Sequence, residues 1–138
     1  MNSTRPILLL EDDRVDAMTV KRALKAIKVN NPLVTVSNGE EALEWLNHEE
    51  NEIPCITLLD LNMPRMNGIE FLEAVKNHKE FRSIPVIVLT TSKDELDRIK
   101  SFNLGAAGYM VKPVDYVQFV EVMRTINMYW TLSELPSQ

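Results

Sequence analysis

Short apolar runs alternate with helical segments five times along this chain, and that alternation restricts the fold more than any other feature of it. ILLL (7–10) precedes RVDAMTVKRALKAIKV (14–29), where Val15, Met18, Ala23, Ala26 and Ile27 fall near helical spacing. LVTVS (33–37) alternates as a more exposed strand would, and NGEEALEWLNH (38–48) comes next with Ala42, Leu43, Trp45 and Leu46 on one helical face. ITLLDL (56–61) leads into GIEFLEAVKNH (68–78), with Ile69, Leu72 and Val75 in phase. VIVL (86–89) leads into SKDELDRIKSF (92–102), where Ser92 and Glu95 have the spacing of a capping box. A last strand over 107–111 precedes a helix running from Asp115 nearly to Pro136. Continuous apolar strands separated by helices predict an α/β fold with one parallel sheet buried on both faces. Its connections must be right-handed crossovers. No repeat or linker interrupts the 138 residues, a length that suits one domain with a core over about 6–127 and an extension over 128–138.

Charge and cysteine content narrow the function. A formal net charge of −5 argues against bulk electrostatic binding of nucleic acid or anionic lipid. Cys55 is the single cysteine, so neither an internal disulfide nor a cysteine-rich zinc site can form, which fits a reducing cytoplasm. No apolar run approaches the roughly 20 residues of a membrane span, and no charged segment with a long apolar core opens the chain. A soluble, cytoplasmic protein without direct nucleic-acid or membrane binding is expected.

The residues just past each strand carry the chemistry. In a parallel sheet the C-terminal strand ends share one edge, where open α/β sheets bind their ligands. Glu11, Asp12 and Asp13 come after the first strand, Asp60 and Asn62 after the third, Thr90 and Thr91 after the fourth, and Lys112 after the fifth. Ser37 and Asn38, after the second, carry no comparable charge. Taken singly, each is better read as a helix cap, a turn former or a surface group, and Asp13 as a cap. Together they change the reading. Several carboxylates crowded on one edge need a compensating cation. Hard oxygen ligands in that number suit Mg²⁺ (or Mn²⁺), which binds through one or two carboxylates plus a phosphate. The group that fits between such a metal, Lys112 and the Thr90 hydroxyl is a phosphoryl group.

The ordered motifs LLLEDD, LLDLNMPRMNGIEFL, IPVIVLTTS and GAAGYMVKPV resemble the receiver domain of a two-component response regulator across essentially the whole chain. The resemblance implies a flavodoxin-like doubly wound sheet in the order 2-1-3-4-5, an order for which the chemotaxis receiver is a standard example. It implies Asp60 as the phosphoacceptor, and Glu11 and Asp12 as the acidic pair. Asp12 would bind metal directly, Glu11 through water, and the backbone carbonyl of Asn62 would complete the site. It implies Thr90 and Tyr109 as a switch pair, Lys112 as the catalytic cation, and a cis bond between Lys112 and Pro113. The donor would be the phosphohistidine of a sensor histidine kinase, and the product an aspartyl phosphate. Such a chain is not an enzyme acting on other substrates; it promotes only its own phosphorylation and dephosphorylation. Gly68 is expected to open a helix and Pro64 to shape the turn presenting Asp60. Thr91 and Val114 depart from the common pattern, which bears on access to the phosphoryl group. His48 and His78 lie in polar, helix-end contexts and read as surface residues. INMYWTLSELPSQ and the loop NHEENEIPC resemble the small response regulators of bacterial phytochrome kinases, which implies a stand-alone receiver with a phytochrome-type partner.

Two other classes share parts of this pattern. A haloacid-dehalogenase-like phosphatase would want a second aspartate where Asn62 stands. A flavodoxin-like FMN carrier would want a Ser/Thr/Gly-rich loop where the acidic one stands. The last helix adds a further expectation. Tyr116, Phe119, Val120, Met123, Ile126 and Trp130 form its sheet-facing stripe at 3.6 residues per turn. Val117, Met128 and Leu132, with Val122 and Tyr129 beside them, form a second apolar line; one reading has the C-terminal extension fold back and cover it, and the other, taken here, makes it the surface of a homodimer with the kinase as competitor.

Overall fold

The computed structural model describes residues 4–63 and 65–132, with side chains up to residue 129. Ten elements alternate: β1 (Ile7–Leu10), α1 (Arg14–Ala26), β2 (Leu33–Val36), α2 (Gly39–Asn47), β3 (Ile56–Leu59), α3 (Gly68–Lys76), β4 (Val86–Thr90), α4 (Glu95–Asn103), β5 (Gly108–Val111) and α5 (Tyr116–Leu132). The strands form one parallel sheet in the order β2-β1-β3-β4-β5, as expected. Among the described residues no helix is long and apolar enough to cross a membrane.

Because strand side chains alternate between faces, each apolar run supplies two cores at once. Ile7, Leu9, Ile56, Leu58, Ile87 and Leu89 point to the side covered by α1 and α5, where Val20, Leu24, Phe119, Met123 and Ile126 meet them. Leu8, Leu10, Leu59, Val86 and Val88 point to the other side, against Ala42, Leu46, Phe71, Leu72 and Val75 of α2 and α3. The central strands β1, β3 and β4 are buried throughout, whereas the edge strands β2 and β5 are only partly covered. Burying one such aliphatic side chain contributes about 1.5–3 kcal/mol, so two continuous cores hold the sheet between its helices.

Several local expectations change. Val15 and Met18 do not face the sheet: they are 71% and 58% exposed, and α1 buries Val20, Ala23 and Leu24 instead. Residues 20, 23, 24 and 27 form their own helical stripe, and α1 turns that stripe inward. Asp94, not Ser92, caps α4 by accepting a hydrogen bond from the Leu96 N–H at 2.9 Å, while the Ser92 hydroxyl donates to Asp97 at 2.8 Å. The complete capping box belongs to Asn67 and Glu70 at the start of α3. Gly68 opens that helix, as expected. Val122 is half-buried and packs against the core under α5, so it leaves the outer line of that helix. Val117, Met128 and Tyr129 remain exposed. Pro64 and the side chains of Trp130 and Leu132 lie outside the described residues.

Candidate functional site

Pairing beyond the strand ends sets the acids in place. The Glu11 N–H donates to the Val36 carbonyl at 3.0 Å, extending the β1–β2 ladder by one residue and leaving Glu11 only 3% exposed. The Asp60 N–H donates to the Leu10 carbonyl at 3.1 Å, which sets Asp60 beside Glu11 on the same edge. Asp13 turns away and caps α1, accepting from the Asp16 N–H at 3.0 Å. The carboxylates of Glu11, Asp12 and Asp60 come within 4.8 Å of one another, with Asp12 exposed and the other two buried.

The loop after Asp60 is held from both ends. A Cβ on Gly68 would lie 2.5 Å from the Asp60 carbonyl oxygen and 2.7 Å from Leu61 Cα, so only glycine lets α3 start against this backbone. The Gly39 N–H donates to the Met66 carbonyl at 2.9 Å, and Met66 fills the space a side chain at Gly39 would need. The loop is thereby fastened to the start of α2, with an exposed Arg65–Glu40 pair at 2.5 Å alongside.

Hydrogen bonds converge on one Asp60 oxygen. The Thr90 hydroxyl donates to Asp60 Oδ1 at 3.0 Å, and the Asn62 N–H approaches the same oxygen at 3.3 Å. Thr90 is fully buried, and its hydroxyl also accepts from the Ser92 N–H at 3.3 Å. On the other side, the Lys112 ammonium pairs with Glu11 and lies 3.5 Å from Asp16 and 3.9 Å from Asp60 Oδ2. The Lys112 backbone N–H donates to the Thr90 carbonyl at 2.7 Å, so the strand end that carries the threonine also positions the lysine.

The electrostatics reflect this crowding. Burial is the largest influence on Glu11 and pushes its carboxyl up to about 7, with Lys112 pulling it down and Asp60 adding to the rise. Burial works to lower the Lys112 ammonium, but Glu11, Asp60 and Asp16 outweigh it and hold the pKa above the ordinary lysine value. One ammonium thus faces several carboxylates. The donor set is hard oxygen in a partly dry site, and a divalent cation with oxygen preference fits it.

The structure brings together Glu11, Asp12, Asp60, Thr90 and Lys112, all singled out in the sequence. Asn62 joins them through its backbone, while its side chain is exposed. Tyr109 sits one step away and donates its hydroxyl to the Ser92 carbonyl at 3.0 Å. The bond between Lys112 and Pro113 was expected to be cis and is trans, since no cis peptide occurs among the described residues. Trans is the intrinsically favoured form of an X–Pro bond by about 0.5–1 kcal/mol, and from it Lys112 already reaches Glu11. Asp16 is a site residue that sequence reasoning misses. Its only signal is its place in the first turn of α1, three residues past the cap.

Comparison with known proteins agrees with this geometry. The family profile for the response regulator receiver domain matches residues 7–124. Response regulator Rcp1 of Synechocystis sp. is 32% identical over 133 residues, covering 94% of this chain and 90% of that protein. The phosphorylated cyanobacterial phytochrome response regulator RcpA superposes with a TM-score of 0.90 at 32% identity, covering 98% of this chain and 100% of that one. The Mn²⁺-bound form of Rcp1 superposes with a TM-score of 0.87 at 32% identity, covering 96% and 99%.

Proposed function

This chain belongs to the response regulator receiver family, and on that premise we propose that Asp60 accepts a phosphoryl group from the phosphohistidine of a sensor histidine kinase. The observation that carries the reading is the surround of Asp60. It is a buried carboxylate with a hydroxyl and an N–H on one oxygen and an ammonium 3.9 Å from the other. An Asp60 oxygen attacks phosphorus, the N–P bond breaks, and its electron pair returns to the imidazole. Transfer of this kind is mainly positioning and charge neutralisation. Lys112 neutralises one phosphoryl oxygen, and the Thr90 hydroxyl donates to another. Mg²⁺ would be held by Asp12, Asp60 and the Asn62 carbonyl, with Glu11 through water, and would neutralise further charge on the phosphoryl oxygens. The membership displaces the phosphatase and flavin-carrier alternatives. Intact-mass analysis after treatment with a small phosphodonor and Mg²⁺ tests the reading, with one added phosphoryl group expected.

The similarity to phytochrome response regulators supports a phytochrome-type kinase as the donor. Thr90 and Tyr109 form the switch in this reading. A phosphoryl oxygen that takes the Thr90 hydroxyl weakens its contact with the Ser92 N–H, and the Ser92 carbonyl is what holds Tyr109. Couplings of this kind are about 1–3 kcal/mol, enough to shift a population. Thr90→Ala is expected to leave phosphorylation largely intact while removing the response of β5, α4 and α5. Amide exchange with and without a phosphate mimic measures it, and an unchanged response in Thr90→Ala would refute the coupling.

The outer line of α5 supports a homodimer. Val117 and Met128 are 68% and 55% exposed and stand eleven residues apart, three helical turns along one face. The helix also adjoins β5, which carries Tyr109. Val117→Glu combined with Met128→Glu is expected to weaken the dimer at least tenfold, a change on the order of 1.4 kcal/mol, while Asp60 is still phosphorylated. Analytical ultracentrifugation over a wide concentration range reads this, and a strictly monomeric wild type with and without a phosphate mimic would sink the dimer.

A further inference from the structure

A lysine side chain does not hold its own direction. Its stem is long and flexible, and its three N–H donors turn about the last bond. Partners must therefore fix where the Lys112 ammonium points. Glu11 takes one donor. Asp60 Oδ2 lies 3.9 Å away, on the side where the phosphoryl group forms. The third carboxylate is Asp16, whose Oδ2 is 3.5 Å from the ammonium.

Asp16 differs from the other two. Glu11 and Asp60 meet Asp12 within 4.8 Å at the cation seat, and Asp16 lies outside that group. A cation in the seat competes with Lys112 for Glu11 and Asp60, but not for Asp16. Asp16 is also held in place independently of Lys112. Its N–H donates to the Asp13 cap at 3.0 Å. Behind it, α1 docks on α5 through Val20, Leu24, Phe119 and Met123, and through Arg22, whose guanidinium lies 4.6 Å from the centroid of the Tyr116 ring. An acid in the first turn of a helix is ordinary, because it complements the helix dipole. The dipole does not account for a carboxylate turned across to the lysine past β5. Beside the pair, a cavity of about 350 Å³ lined by Asp16, Thr91 and Lys112 among others leaves an untethered lysine room to swing away.

We propose that Asp16 is a positioning residue for phosphoryl transfer, fixing the Lys112 ammonium beside Glu11 so that a donor stays aimed at the phosphoryl oxygen on Asp60. The proposal rests on Asp60 as acceptor. With one donor held by Glu11 and a second drawn to Asp16, the third faces Asp60. Without Asp16 the ammonium pivots about Glu11 alone, and orientation that was prepaid is lost.

The test follows phosphorylation by intact mass with phosphoramidate and Mg²⁺, for the wild type, Asp16→Asn, Asp16→Glu and Asp13→Asn. Asp16→Asn is expected to lower the rate constant about fivefold, equivalent to about 1 kcal/mol, the upper end for a half-exposed ion pair. The sign is diagnostic. Removing a negative charge near the path of an anionic donor speeds the reaction by simple electrostatics, whereas losing the aim of Lys112 slows it. Asp13→Asn removes the same charge from the start of the same helix and keeps a capping side chain, so it should stay within about twofold of wild type. Asp16→Glu restores the charge on a longer arm and should recover part of the loss. Urea melts should show all four folded under the assay conditions, since the Asp16 side chain is half-exposed. No loss or a gain in Asp16→Asn, an equal loss in Asp13→Asn, or no recovery in Asp16→Glu would overturn the positioning role and leave Asp60 as acceptor. No labelling of the wild type at Asp60 would overturn the acceptor assignment, and the role of Asp16 with it.

Discussion

Asp60→Asn is expected to fold normally and to take up no phosphoryl group. The amide keeps the shape of the carboxylate, and its oxygen can still accept from the Thr90 hydroxyl now placed at 3.0 Å. What it lacks is the anionic oxygen that attacks phosphorus. Intact mass should show one phosphoryl group on the wild type and none on the variant under the same donor and Mg²⁺. The substitution also removes one of three carboxylates that meet within 4.8 Å, so without metal the variant should melt higher than the wild type. Full labelling of Asp60→Asn would remove Asp60 from the mechanism.

Lys112→Met is expected to slow phosphorylation severely and to destabilise the protein in a pH-dependent way. The ammonium and Glu11 are both nearly inaccessible, at 9% and 2% side-chain exposure. Removing one partner of a buried pair typically costs about 3–5 kcal/mol when the other stays charged. Glu11 has an escape, because it can bind a proton. Its carboxyl is already raised by burial from 4.5 to about 7 in the fold, so the folded state holds a proton that the unfolded state releases. Stability from this group is therefore fully present below 4.5 and is lost as pH rises through the folded value. Without Lys112 to lower it, that folded value moves further up and the loss extends to higher pH. Urea melts should show a small penalty at about pH 5 and one approaching about 3 kcal/mol at about pH 8. Adding Glu11→Gln to the variant should remove most of the pH dependence, and a penalty of equal size at both pH values would contradict this account.

The topology and the acid edge are legible in the sequence because both are local in it. Run length separates strand from helix, and a polar residue just past a run must fall on the carboxyl edge. Asp60 and Lys112 need nothing more. The buried face of α1 is harder, since five apolar positions there fit more than one stripe and only docking on Ile7 and Leu9 selects Val20 and Leu24. Asp16 is invisible for a related reason: its approach to Lys112 joins the first helix to the last strand end. Ser92 has the spacing of a cap, but Asp94 stands closer to the first helical residue and takes that role. Arg22 carries no sequence signal at all, because its meaning depends on the Tyr116 ring beneath it.

The strand order has a consequence for how the molecule is made. β1, β2 and β3 are neighbours drawn from the first half of the chain, and β4 and β5 are then added to one edge in order. A chain leaving the ribosome has all three clustered acids, Glu11, Asp12 and Asp60, before Lys112 has been synthesised. The first half of the protein therefore presents an anionic seat whose ammonium has not yet arrived. β5 brings it, pairing along β4 as it does so. The last strand to be made thus leads into the ammonium that pairs with Glu11 beyond the first, and a single positive charge among three clustered carboxylates leaves the seat net negative, with room for a cation.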